Sequence, residues 1–69
     1  MTDILPHNLK MLRLRQNKSV TKVANEIGIH KSSLKHYEEG HTEPCVSYLL
    51  RFSEYYQFPD LRKLLTEKI

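Results

Sequence analysis

Two short segments with apolar residues at helical spacing lie on either side of Gly28, and they constrain the fold more than any other part of the sequence. The segments run from Val20 to Ile27 and from Lys31 to Tyr37. Gly28 can adopt a positive φ angle without a Cβ clash, so it can end the first helix sharply. Ala24 has a small side chain, as a second helix crossing closely requires. The residues predicted to face inward are Val23, Ile27, Ile29, Leu34 and Tyr37. The pattern predicts a helix-turn-helix, and a small helical hairpin with Gly28 as a simple C-cap is the alternative on spacing alone.

The remaining sequence predicts three more helices, which makes the chain an all-α domain of five helices. Ser19 is a favourable N-cap for the second helix, and Gly40 to Pro44 interrupts the pattern after the third. The first helix is predicted to open at Pro6 and end at about Asn17, the fourth to run from about Val46 to Tyr56, and the fifth to start at Pro59 and Asp60. Further core candidates are Leu9, Leu12, Leu49, Leu50 and Phe52.

The size of the chain limits what it can do. Its 69 residues predict a single domain over residues 1–69, and a chain of this length buries only about 60% of its unfolded surface. A deep catalytic cleft would not fit beside the core, and the sequence has no nucleophile elbow, so we predict that the protein is not an enzyme. It has no apolar run of about 20 residues, the length that spans a bilayer. Residues 1–6 lack the pattern of a secretory leader, and the single Cys45 suits a reducing compartment. We therefore expect a cytoplasmic protein.

Four histidines and Cys45 raise the question of a metal site. The histidines are His7, His30, His36 and His41. Their spacing matches no zinc pattern, and His30 and His36 are too far apart along a helix to share a ligand face. We predict neither a metal nor another cofactor.

The charge of the chain is distributed unevenly. Residues 1–36 carry seven Lys and Arg against two Asp and Glu, a net charge of +5, whereas residues 37–69 carry four against six, a net charge of −2. The positive half contains the predicted helix-turn-helix. A polyanion such as DNA would be attracted to that half, with an affinity that falls steeply as salt rises. An ordinary solvated surface is the alternative explanation of the charge alone.

Several sequence segments occur in the order and spacing of one known family. They are Asn8 to Arg13, Val23 to Ile29, Leu34 to Gly40, Glu43-Pro44, Tyr48 to Ser53 and Leu61 to Leu65. Over residues 8–65 the sequence resembles the helix-turn-helix family of phage repressors and Cro proteins, also named the XRE family. The resemblance implies a compact five-helix, lambda-repressor-like DNA-binding domain with the helix-turn-helix at helices 2 and 3.

Two positions depart from the family pattern. Val20 stands where the family usually has a Gln that contacts a backbone phosphate, so this sequence lacks the side chain that makes that contact. His30 stands where the family usually has Ser or Thr before the recognition helix. Because His is not a favoured N-cap, we expect this helix to start less firmly.

The resemblance and the chemistry of the side chains together predict a DNA-contacting surface. The family's base-reading positions correspond to Lys31, Ser32 and His36, with Lys35 beside them. Lys can donate to guanine O6 and N7, His to a purine N7, and Ser is less selective. Predicted phosphate contacts are Lys18, Lys22, Ser33, His41 and Thr42, together with backbone amides of residues 40–43. A solvated surface charge is the alternative for each lysine.

Arg13 and Glu38 match a pair that, in the family, holds the recognition helix to the rest of the domain. In the family, an Arg of the first helix commonly pairs with the Glu that ends the recognition helix. The resemblance therefore implies a structural ion pair between Arg13 and Glu38.

A homodimer on double-stranded DNA is the next expectation. One recognition helix reads only a few base pairs, so specificity usually requires two half-sites and a two-fold dimer. The apolar residues near the C-terminus exceed what one small core needs, although all of them could belong to the core. The predicted dimer interface consists of Tyr56, Phe58, Leu61, Leu65 and Ile69.

These observations favour a sequence-specific DNA-binding transcriptional regulator. The specific hypothesis is a small repressor that reads the major groove with the helix from about Lys31 to Glu38. The alternative is an antitoxin or another protein-interaction module that uses the same fold, with its apolar C-terminal face on a partner protein.

Overall fold

Five α-helices form the described part of the chain. The computed structural model describes residues 3–69, and these residues contain no strand. The helices are α1 Ile4–Arg15, α2 Val20–Ile27, α3 Lys31–Glu39, α4 Val46–Tyr55 and α5 Leu61–Thr66. This confirms the predicted all-α, five-helix fold. Met1 and Thr2, which belong to the domain predicted over residues 1–69, lie outside the described residues.

The turn between α2 and α3 has the predicted chemistry. The Ser19 hydroxyl accepts a hydrogen bond from the Lys22 amide at 3.1 Å and caps α2. Gly28 ends that helix with φ of +88°, and its amide donates to the Ala24 carbonyl. A side chain at Gly28 would be strained in this left-handed conformation. The chain therefore turns at Gly28 and starts α3 three residues later.

Helix α1 begins earlier than its proline indicated. It starts at Ile4, so Pro6 occupies the third helical position, and it ends at Arg15 rather than near Asn17. Proline is tolerated there because the first amides of a helix have no carbonyl partner within it. Within the described residues, the backbone hydrogen bonds of α1 start with the His7 amide, which donates to the Asp3 carbonyl.

The core lies where the five helices meet. Ala24 is fully buried, as the close crossing of α2 and α3 requires, and α1 packs against both α3 and α5. The buried apolar residues are Leu5, Leu9, Leu12, Val23, Ala24, Ile29, Leu34, Phe52, Tyr56 and Leu64. The prediction of Leu50 as a core residue was wrong, since its side chain is exposed. Two residues along a helix differ by about 200° in direction, so the inward position of Phe52 turns Leu50 outward.

A buried asparagine joins α1 to the end of the chain. Asn8 is fully buried, and its amide nitrogen donates to the carbonyls of Leu64 at 2.8 Å and Glu67 at 2.9 Å. Its side-chain oxygen accepts from the Ile69 amide at 3.0 Å. Buried polar groups are costly unless they are hydrogen-bonded, and these three bonds satisfy Asn8 as well as backbone groups of the C-terminal segment.

Replacing Asn8 with Ala should lower the free energy of unfolding by about 2–4 kcal/mol. The substitution leaves two carbonyls and one amide without their partner and opens a small cavity. Urea unfolding followed by circular dichroism measures the change. Asn25→Ala, in an exposed position of α2, is the matched control and should change stability by less than about 0.5 kcal/mol. Equal midpoints for both variants would contradict the role of Asn8.

Candidate nucleic-acid interface

One face of α3 carries the four residues predicted to contact bases. Lys31, Ser32, Lys35 and His36 are all exposed. They form one stripe because positions four apart lie on the same side of a helix. Leu34 points the other way and is fully buried. The structure thus brings the four side chains together on a surface that is open to a large ligand.

A groove of about 520 Å³ runs beside this stripe, between α1, the start of α2 and α3. Its lining residues are Lys10, Arg13, Val20, Thr21, Lys31, Ser32, Lys35, Glu38 and Glu39. Lys10 was not among the predicted contacts. The sequence could have indicated its position at the groove, because Lys10 precedes Arg13 by three residues and so shares its face of α1. The groove adds a third lysine to the two of the α3 stripe.

The two departures from the family pattern both lie at this surface. Val20 is half-buried and lines the groove, so an apolar side chain stands where the family usually has a hydrogen-bonding one. Within the described residues, the His30 side chain makes no capping bond to α3. Its Nδ1 instead lies 3.0 Å from the Ser32 hydroxyl. The start of α3 therefore lacks a side-chain cap, as expected from His30.

Arg13 and Glu38 form a bidentate ion pair. Arg13 Nε donates to Glu38 Oε2 at 2.8 Å, and Nη2 donates to Oε1 at 2.9 Å. Arg13 Nη1 also donates to the carbonyl of Lys18 at 2.9 Å. The side chains of Arg13 and Glu38 are only 11% and 5% exposed, and hydrogen bonding to Glu38 raises the pKa of Arg13. The pair fixes the C-terminal end of α3 to α1 and to the loop before α2.

Two of the predicted phosphate ligands are bound to a carboxylate within the protein. Lys18 Nζ lies 3.0 Å from Glu26 Oε1, and Lys22 Nζ lies 3.5 Å from Glu26 Oε2. The Tyr55 hydroxyl donates to the same carboxylate and accepts from Lys18 Nζ at 2.8 Å. Hydrogen bonds from Tyr55, which contributes most, and from Lys18 lower the pKa of Glu26 to about 2. We name these four residues the Glu26 cluster.

Of the other predicted phosphate ligands, Ser33 lies in the first turn of α3, and His41 and Thr42 follow its end. Ser33 is half-buried within the helix, whereas His41 and Thr42 are exposed in the loop after Gly40. His41 Nε2 is 3.4 Å from Glu39 Oε1, and its ring meets that of His36 edge-on at 5.8 Å. His41 is thus close to the α3 stripe, while Ser33 lies off it.

The predicted dimer residues differ in accessibility. Tyr56 is buried in the core, where its ring stacks on Phe52, so its assignment to an interface is corrected. A helix end packed under its own chain offers no surface to a partner. Phe58, Leu61 and Ile69 are half-buried, and Leu65 is exposed. Leu65 lines a second, mainly apolar groove with Val46 and Leu49 of α4.

The sharp α2–α3 turn and the exposed basic stripe on α3 define a helix-turn-helix domain of the kind that binds DNA. A comparison with protein-family models matches residues 5–65 to the model of a helix-turn-helix domain, and the chain belongs to that family. Searches of curated proteins and of solved structures gave no match. Membership of the family indicates a DNA-binding regulator in general terms. No helix within residues 3–69 is long and apolar enough to cross a membrane.

Proposed function

We propose that the protein is a sequence-specific transcriptional repressor that inserts α3 into the major groove of duplex DNA. The observation that carries the proposal is the α3 stripe, in which four hydrogen-bonding side chains are exposed on a helix anchored by Leu34. Lys31 and Lys35 would donate to guanine O6 and N7, and His36 to a purine N7. Ser32 would add a less selective contact.

Contacts to the DNA backbone would fix the position of α3 in the groove. Lys10 is suited to this role because it is exposed and lines the same groove as the stripe. The predicted phosphate ligands Lys18, Lys22, Ser33, His41 and Thr42 would act with it, as would the backbone amides of residues 40–43. Such contacts orient a protein on DNA without reading its sequence. A repressor of this type acts by occupying a promoter, without catalysis, and implies a cytoplasmic location.

Selection from a randomised duplex library tests the proposal. The affinity of the selected site and of bulk DNA is then measured at two salt concentrations. We expect enrichment of a two-fold symmetric sequence, together with a steep decrease in affinity as salt rises. A library that yields no enriched sequence would contradict sequence-specific repression.

A homodimer would present two copies of α3 to the two halves of such a site. We propose an interface formed by Phe58, Leu61, Leu65 and Ile69. It is supported by the exposure of Leu65 next to apolar residues of α4, since exposed apolar surface is often an interaction site.

Leu65→Asp should convert the dimer to a monomer, because a carboxylate would be buried without a partner at the interface. Analytical ultracentrifugation measures the change. Leu14→Asp is the matched control, since Leu14 is 45% exposed, close to the 40% of Leu65, but lies at the end of α1. We expect the control to sediment as the unmodified protein does. Identical sedimentation of Leu65→Asp and the unmodified protein would exclude this interface.

A second candidate function is supported by the outer face of α4. Val46 and Leu50 are exposed there, four residues apart on the same side of the helix. An antitoxin or another interaction module would use such a face on a protein partner. Failure of the library selection, together with a toxin gene beside this one, would favour that function.

A further inference from the structure

Glu26 forms ion pairs with two lysines at the start of the helix-turn-helix, Lys18 and Lys22. Lys18 lies in the loop before α2, and Lys22 is in the first turn of α2, next to Thr21 of the groove. Their side chains are 30% and 60% exposed, so both ammonium groups can be reached from solvent. Each is nevertheless within ion-pair distance of one carboxylate.

We propose that Glu26 limits the affinity of the protein for duplex DNA by competing with phosphate for Lys18 and Lys22. The inference rests on the proposed function, in which both lysines are phosphate ligands. While Glu26 competes, each lysine contacts phosphate for only part of the time, because it exchanges between a carboxylate oxygen and a phosphate oxygen. The gain in affinity from each of these lysines is therefore smaller than from a lysine that has no carboxylate to leave.

The geometry holds Glu26 in place as a competitor. Tyr55, the last residue of α4, donates its hydroxyl to Glu26 and thereby fixes the carboxylate against α4. The Lys18 ammonium also lies over the Tyr55 ring, 4.9 Å from its centre. With a pKa of about 2, Glu26 is ionised at neutral pH. The negative charge is thus present at neutral pH and positioned between the two lysines.

The effect should be independent of DNA sequence. Phosphates are the same in every duplex, so a gain in phosphate contacts strengthens specific and non-specific binding by the same factor. Each gained phosphate contact also steepens the plot of log affinity against log salt by about 0.9. If the Glu26 cluster served only to join α2 to α4, substitution of Glu26 would change the stability of the fold. The affinity for DNA and its salt dependence would then stay the same.

Glu26→Gln tests the proposal, because an amide keeps the size of the side chain and an acceptor for Tyr55 while removing the charge. The matched control is Glu67→Gln, which removes the same charge from an exposed side chain near the C-terminus. A second variant, Glu26→Ala with Tyr55→Phe, removes the carboxylate and the hydroxyl together, so that the Tyr55 hydroxyl is not left without its acceptor. Circular dichroism checks folding, and fluorescence anisotropy measures affinity for a selected duplex and for an arbitrary one over a range of salt.

We expect Glu26→Gln and the double variant to bind both duplexes about three- to tenfold more tightly than the unmodified protein, with a steeper salt dependence. Glu67→Gln should change affinity much less. Unchanged affinity in both folded Glu26 variants would overturn the role of Glu26 while leaving the repressor function intact. An equal increase with Glu67→Gln would also overturn it, because overall charge would then explain the effect. An unmodified protein that binds neither duplex would overturn both this inference and the proposed function.

Discussion

Glu38→Ala should lower the free energy of unfolding by about 3 kcal/mol and weaken DNA binding as well. Removing the carboxylate leaves the Arg13 side chain, which is 11% exposed, with the Lys18 carbonyl as its remaining partner within residues 3–69. Loss of one member of a buried pair is costly because the other charge remains desolvated. The same change releases the C-terminal end of α3 from α1. Urea unfolding measures the first effect, and binding to a selected duplex, at a temperature where the variant is folded, measures the second.

Glu39→Ala is the control for this experiment. Glu39 is the next residue of α3, carries the same charge and is exposed, and its side chain lies 3.4 Å from the ring of the exposed His41. An exposed pair of this kind contributes less than about 1 kcal/mol. Unfolding midpoints that are the same for Glu38→Ala and the unmodified protein would show that the pair does not hold α3 in place.

The double substitution of Lys31 and Lys35 by Ala should weaken binding to the selected duplex by about thirtyfold or more. A good bidentate contact to a base contributes about 1–3 kcal/mol of discrimination, and the two lysines together would account for at least about 2 kcal/mol. Both side chains are exposed, so the fold should keep its stability. Binding to an arbitrary duplex should weaken much less, and the ratio of specific to non-specific affinity should fall.

Lys63 and Lys68 provide the matched double substitution. Both are exposed in the C-terminal part of the chain, and their replacement by Ala changes the net charge by the same amount. We expect only a small, uniform decrease in DNA affinity from this control. If the Lys31 and Lys35 variant lost affinity for the selected and the arbitrary duplex by equal factors, the two lysines would contact phosphates rather than bases.

The helix-turn-helix was predictable because local chemistry determines it. Ser19 caps the start of α2 with its hydroxyl, and Gly28 ends α2 because glycine can adopt a positive φ angle. A small residue such as Ala24 is required where two helices cross closely. These constraints act within a few residues and are visible in the sequence. The faces of α3 follow from helical periodicity once Leu34 is assigned to the core.

The contacts that sequence reasoning missed join residues far apart in the chain. Asn8 reads as an ordinary polar helix residue until the C-terminal segment supplies its partners. Glu26 and Tyr55 are 29 positions apart, and no periodicity links them. Tyr56 was assigned to a surface because apolar composition alone does not tell which side of α4 faces the core. Tertiary packing makes that choice.

The separation of roles within α3 has a consequence for how the protein could evolve. Leu34 and Glu38 hold the helix to the scaffold, whereas Lys31, Ser32, Lys35 and His36 stand in solvent. Substitutions at exposed positions away from special contacts usually change stability by less than about 0.5 kcal/mol. On the proposed function, the DNA sequence preference could therefore change during evolution through substitutions at these four positions, with little cost to the stability of the domain.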